Sequence, residues 1–185
     1  MSVSDSKKDR FESAVSPHVD AAYNLARWLT GNDHDAEDVV QEAMLRAFMY
    51  FDGFRGGDAR SWVLKIIRNT CFTWLETNRP SEIAGMAVEE LDDVAAPLVY
   101  SGLADDPETL ALRRMAALQL NDAIAAIPAA SREVIVLREM EGLSYKEIAT
   151  VVDAPIGTVM SRLARARAEL RRILTRSSCM KGASR

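Results

Sequence analysis

Apolar residues in this chain recur at three- and four-residue steps almost from end to end, and nowhere do they alternate with polar ones over the length of a strand. Phe11, Val15, Val19, Ala22, Tyr23, Ala26 and Leu29 form one stripe, stopped by Gly31. The segment Asp33–Phe48 opens with aspartates, which suit a helix N-terminus by capping and by the dipole. Its stripe is Ala36, Val40, Ala43, Met44, Ala47 and Phe51, with Glu37, Asp38, Gln41, Glu42 and Arg46 on the opposite face. Three glycines in Asp52–Asp58 break that helix, and a third runs from about Ala59 to Asn78. Further on, Ala116, Leu120, Ile124 and Ile127 make a stripe ended by Pro128. Helices over 129–140 and 144–152 follow, and a last one begins at Ile156 with Val159, Leu163, Ala166 and Leu170 inward. The expected fold is all-α, with two small helical domains.

Between them the period fails. Residues 79–107 place three prolines among acids and serines, with short apolar patches and at most a helical turn around Val88–Val94. Charge divides the chain at the same place. Residues 81–116 carry two basic and eight acidic side chains, whereas residues 117–185 carry eleven basic and seven acidic. From Pro155 to Arg176 six arginines face the single acid Glu169. Although the whole chain has a net charge of −4, its C-terminal end is built to meet a polyanion. The expected organisation is a disordered N-terminus over 1–10, a first domain over 11–79, a flexible acidic linker over 80–107, a second domain over 108–176 and a tail over 177–185.

Several function classes lack their signatures. His18 and His34 are the only histidines, and neither lies in metal-ligand spacing. There is no P-loop, GxSxG or GxGxxG. No enzyme, cofactor or small-molecule substrate is therefore expected. Cys71 and Cys179 stand too far apart in sequence to suggest a zinc site or a disulfide framework. Cys71 sits in an apolar helical stretch and should be buried. No apolar run approaches the ~18 residues of a membrane span, and the N-terminus lacks the apolar core of a secretory signal. The expected setting is reducing and cytoplasmic.

Two stretches point to nucleic acid. Arg55, Arg60, Lys65, Arg68 and Arg79 surround the glycine loop and the third helix, interleaved with Trp62, Phe72 and Trp74. Cations and aromatics beside a flexible loop suit unstacked bases, each stacking contact being worth ~1–3 kcal/mol. In the second domain, Ser144-Tyr-Lys-Glu147 is a capping box that opens a short helix. Asp153-Ala-Pro155 turns the chain into the arginine-rich helix, completing a helix-turn-helix. Its second helix would enter the major groove with Thr158, Met160, Ser161, Arg162, Ala164 and Arg165 outward. Arg167, Arg171 and Arg172 lie later and suit phosphates or a partner protein. A free-standing regulator of duplex DNA could end in the same motif, though nothing N-terminal resembles a dimer seam or ligand pocket.

The order of these segments resembles the extracytoplasmic-function (ECF) sigma factors, specificity subunits of bacterial RNA polymerase. Residues 35–48, 54–75 and 128–170 carry the resemblance. It implies a first domain, sigma region 2, that holds core polymerase and opens the −10 element, and a second, sigma region 4, that reads the −35 element. Asp38, Gln41, Glu42 and Arg46 would then dock on the β′ clamp. Arg55, Arg60, Trp62, Lys65, Arg68, Asn69 and Phe72 would meet −10 DNA. Thr158, Met160, Ser161, Arg162, Ala164, Arg165 and Arg167 would meet −35 DNA, with the second domain on the β flap. The implied partners are core polymerase, promoter DNA and an anti-sigma factor.

Overall fold

The computed structural model describes residues 3–83 and 107–182; the turn expected near Val88–Val94 lies outside them. Among the described residues every regular element is a helix.

In the first bundle, α1 spans Val3–Val15, α2 Val19–Thr30, α3 Asp33–Tyr50 and α4 Ala59–Asn78. The single stripe expected over Phe11–Leu29 is in fact two helices. Pro17 lacks an N–H and disfavours helical geometry in the residue before it, so α1 stops at Val15 and a 3₁₀ turn, Ser16–His18, intervenes. Within the stretch expected as a disordered N-terminus, α1 begins at Val3. It is pinned where Lys7 reaches Asp52 (2.6 Å) and where Phe11 meets Phe48 and Phe51 edge-on (5.2 and 5.3 Å).

Caps define the ends of the other helices. Gly31 (φ 84°) closes α2 in the left-handed conformation glycine adopts freely. The Asn32 side chain accepts from the Asp35 N–H at the start of α3 (2.8 Å), and Asp58 accepts from the Ser61 N–H at the start of α4 (3.1 Å). Each such cap is worth ~1 kcal/mol. Leu25, Leu29, Ala36, Ala43, Leu64, Ile67 and Leu75 fill the core between α2, α3 and α4.

The short α5, Pro80–Ile83, continues from α4, so the first residues of the expected linker are helical. In the second bundle α6 spans Pro107–Ala125, α7 Ala129–Ile135, α8 Tyr145–Val152 and α9 Ile156–Gly182. After Ile135 the helix widens to π geometry over Val136–Met140, with the Glu141 N–H bonded to the Val136 carbonyl. Gly142 (φ 68°) ends it, and the Leu143 N–H returns to the Leu137 carbonyl. The α6 stripe is only half inward. Ile124 and Ile127 are buried, but Ala116 and Leu120 are exposed because α6 packs on little besides α9. The backbone of α9 continues through residues expected as a tail.

The two bundles lie against each other, α4 on α8 and α2 on α7, and one buried apolar cluster runs through both. Arg132 of α7, 2% exposed, spans the junction. It donates to the Trp28 carbonyl of α2 (2.9 Å) and to the Ala125 and Ile127 carbonyls at the end of α6 (2.7 and 3.1 Å).

Candidate nucleic-acid and polymerase-binding surfaces

The glycine loop is shaped by Gly56 (φ 84°) and Gly57 (φ 104°), backbone angles that side chains resist. Arg55 is exposed at its tip. Beneath it, Phe54 stacks toward Phe51 (5.9 Å) and lies 4.9 Å from Trp62. Trp62 is thus half-buried, its ring part of the loop's floor. Burial pushes the Asp58 carboxyl up, but bonds from the Ser61 hydroxyl and N–H outweigh it and hold the group below the usual carboxylate range.

Arg60, Lys65, Arg68, Asn69 and Phe72 lie along α4, where Arg68 sits 4.1 Å over the Phe72 ring and donates to the Asn69 side chain (3.3 Å). Three of these residues meet the second bundle. Arg60 donates to the Glu141 main-chain oxygen (2.7 Å) and carboxylate (3.0 Å). Lys65 donates to Asp153 (3.0 Å). Arg68 donates to both oxygens of Glu133 (2.8 and 3.4 Å), a carboxylate with no solvent exposure. Burial pushes the Glu133 carboxyl above its usual range, while Arg68 and Arg162 pull it back.

In the second bundle the capping box is formed: the Glu147 N–H donates to the Ser144 hydroxyl (3.3 Å) and the Ser144 N–H to the Glu147 carboxylate (2.7 Å). These bonds hold the Glu147 carboxyl below its usual range. Asp153 takes a left-handed conformation (φ 54°) and Pro155 follows, so the chain turns sharply into α9. On α9, Met160, Ser161, Ala164 and Arg165 are exposed, Met160 by 53%. Thr158 is half-buried, and its carbonyl accepts from the Ser161 hydroxyl (3.0 Å). Arg162 is turned toward Glu133 (3.5 Å), and Arg167 is paired with Glu139 (2.6 Å).

On α3, Asp38, Gln41 and Glu42 are exposed and Arg46 half-exposed, with Arg46 bonded to Glu42 one turn away (2.5 Å). Leu45, Met49 and Tyr50 are exposed close by, which the apolar stripe did not reveal. Glu133, Glu141 and Asp153 also escaped sequence reasoning. The one available signal was a charged pair, Arg132-Glu133, inside the apolar run Ile127–Leu137.

A glycine-loop bundle is thus followed by a helix-turn-helix bundle, each carrying a cluster of cationic side chains. Residues 14–80 match Sigma-70 region 2, and residues 117–170 match Sigma-70, region 4. The chain is 38% identical over 138 residues to the ECF RNA polymerase sigma-E factor of Escherichia coli K12, covering 72% of this chain and 70% of that one. It is 31% identical over 168 residues to the ECF RNA polymerase sigma factor SigE of Mycolicibacterium smegmatis, covering 91% of this chain but spanning only 63% of that relative. Its fold is similar to the sigma factor RpoE of Bartonella quintana, solved in complex with the anti-sigma factor NepR (TM-score 0.69, 24% identity, 90% of this chain and 97% of that one). It is likewise similar to CnrH, solved with the cytosolic domain of CnrY (TM-score 0.61, 24% identity, 91% and 89%). The chain belongs to the sigma-70 family, among the ECF sigma factors.

Proposed function

We propose that this chain binds core RNA polymerase in the cytoplasm and directs it to promoters, contributing recognition and no catalytic step or cofactor of its own. Region 2 docks on the β′ clamp through Asp38, Gln41, Glu42 and Arg46. It opens the −10 element with Arg55, Arg60, Trp62, Lys65, Arg68, Asn69 and Phe72. Region 4 sits on the β flap and reads the −35 element through Thr158, Met160, Ser161, Arg162, Ala164, Arg165 and Arg167. Among the described residues, no helix is long and apolar enough to cross a membrane. RpoE was solved with an anti-sigma factor and CnrH with the cytosolic domain of CnrY, which supports an anti-sigma partner here.

The observation that carries this reading is the occurrence of two cationic surfaces suited to DNA, one beside a glycine loop and one on a capped helix-turn-helix, within a chain matching both sigma regions. Elements two helical turns apart lie ~70 Å from one another along DNA. Here one carboxylate, Glu133, reaches both Arg68 of α4 and Arg162 of α9, so the bundles must part before both surfaces read a promoter. Residues 80–106 extend to ~90 Å at most, which is enough. The test is core binding by Asp38→Arg, a substitution at an exposed position. The variant should fold normally and bind core polymerase at least tenfold more weakly; wild-type affinity would remove this face of α3 from the docking surface.

A further inference from the structure

We infer that α1 sets the glycine loop for −10 recognition: Lys7, Arg10 and Phe11 act as positioning residues that clamp the root of the loop at Phe51 and Asp52. The inference deepens the reading of Arg55 and Trp62 as −10 contacts and rests on it.

The tip of the loop is open. A Cβ added at Gly53, Gly56 or Gly57 would meet no atom within 4 Å. The aim of the loop is therefore fixed from its two roots. The C-terminal root is tied locally, by the Asp58 cap on the Ser61 N–H. The N-terminal root is the 3₁₀ turn Phe51–Gly53, closed by a bond from the Phe54 N–H to the Phe51 carbonyl (2.9 Å). A lone turn is marginal without packing, and here α1 packs on it.

Arg10 and Phe11 lie three and four residues beyond Lys7, so the three share one face of α1. Lys7 reaches one oxygen of Asp52 (2.6 Å), and Arg10 lies 3.8 Å from the other. Lys7 also sits 5.1 Å over the Phe48 ring and Arg10 5.7 Å over the Phe51 ring. Phe11 meets Phe51 edge-on (5.3 Å). From Phe51 the contact passes to Phe54 (5.9 Å) and Trp62 (6.1 Å), and Phe54 lies 4.9 Å from Trp62. An unbroken set of rings thus joins α1 to Trp62 and, through Phe54, to the backbone that carries Arg55. All three α1 residues precede position 14, where the match to Sigma-70 region 2 begins.

Arg10 and Asp52 are exposed, so their ion pair adds little to folding stability. Its consequence is positional. Groups that recognise a ligand must be held to a fraction of an ångström by the residues behind them. Losing the clamp should leave the bundle folded and the loop loosely aimed.

The test uses the full chain carrying Lys7→Gln, Arg10→Gln and Phe11→Leu. Native trypsin cleavage after Arg55, located by mass spectrometry, should be ~fivefold faster than in wild type, with the circular-dichroism spectrum of a folded chain. Run-off transcription with core polymerase supplies the second readout. Its ratio between a promoter that wild type uses and the same promoter with single −10 base changes should fall ~tenfold, with core affinity unchanged. Loss of stability alone would not move that ratio. If Phe11→Leu unfolds the chain, the exposed Lys7→Gln/Arg10→Gln pair should still shift both readouts ~threefold. Lys7→Arg/Arg10→Lys keeps both charges and should behave as wild type. A folded variant in which either readout stays at the wild-type value overturns the proposal. If wild type with core polymerase yields no transcript from any fragment, the sigma reading falls, and unchanged Arg55 cleavage remains the result that removes α1 from the support of the loop.

Discussion

Replacing Arg132 with methionine should be among the most destabilising single changes in the molecule. The guanidinium is 2% exposed and donates to three main-chain carbonyls, one on α2 and two at the end of α6. Methionine fills much of the same volume but donates nothing. Each lost bond leaves a carbonyl unpaired at a cost of about 1–1.5 kcal/mol, so the total is about 3–5 kcal/mol. Two of the three bonds lie within region 4, so most of the loss belongs to that bundle. For a chain of this length a loss of that size lowers Tm by about 10 °C. Thermal unfolding followed by circular dichroism at neutral pH reads it directly. Arg132→Lys should recover only part of the loss, because an ammonium lacks the planar fork that spans carbonyls on two sides. A Tm shift below about 3 °C for Arg132→Met would refute the assignment of Arg132 as the bond that ties α6, α7 and α2 together.

Other outcomes follow from the same geometry. Asp58→Ala removes the α4 cap and should cost ~1 kcal/mol in urea unfolding at pH 7. Because the Asp58 carboxyl titrates below its usual range in the fold, the cap is fully present at neutral pH and is lost as pH falls through that lowered value. The wild-type and Asp58→Ala stabilities should therefore converge in acid, and a constant gap down to acid pH would contradict the linkage. Burial pushes the Cys71 thiol well above its ordinary range, so native protein should resist iodoacetamide at this position until unfolded; rapid labelling of Cys71 in native protein, located by mass spectrometry, would show the α4 core to be open. Arg165→Ala removes an exposed cation from α9 and should reduce promoter-specific transcription ~tenfold or more with core binding unchanged; normal transcription would displace the recognition surface from this part of the helix.

Much of the local structure was legible because its causes are local. The Ser144–Glu147 box and the Gly31 stop act within a few residues, and both are formed. Stripes with a partner on both sides, such as Val159, Leu163 and Ala166, are buried as their spacing implied. The α6 stripe misled because period reports an apolar face and not what covers it; Leu120 remains exposed. Pro17 overrode a continuous stripe by removing a donor and restricting its neighbour. The seam between the bundles was the least legible part. Arg68–Glu133, Arg60–Glu141 and Asn24–Glu141 join residues 65, 81 and 117 positions apart, and nothing in their spacing pairs them. The cationic and aromatic clusters were visible in the sequence, whereas the acids that meet them read as ordinary helix-surface charges.

The central claim is that this chain confers promoter recognition on RNA polymerase. The most direct measurement is run-off transcription from a library of promoter fragments by purified bacterial core polymerase, with and without the protein. Transcripts that appear only when the chain is added, with start sites sharing two upstream elements, are the predicted result. No added transcripts and no core binding, together with tight binding of duplex DNA by the protein alone, would contradict it.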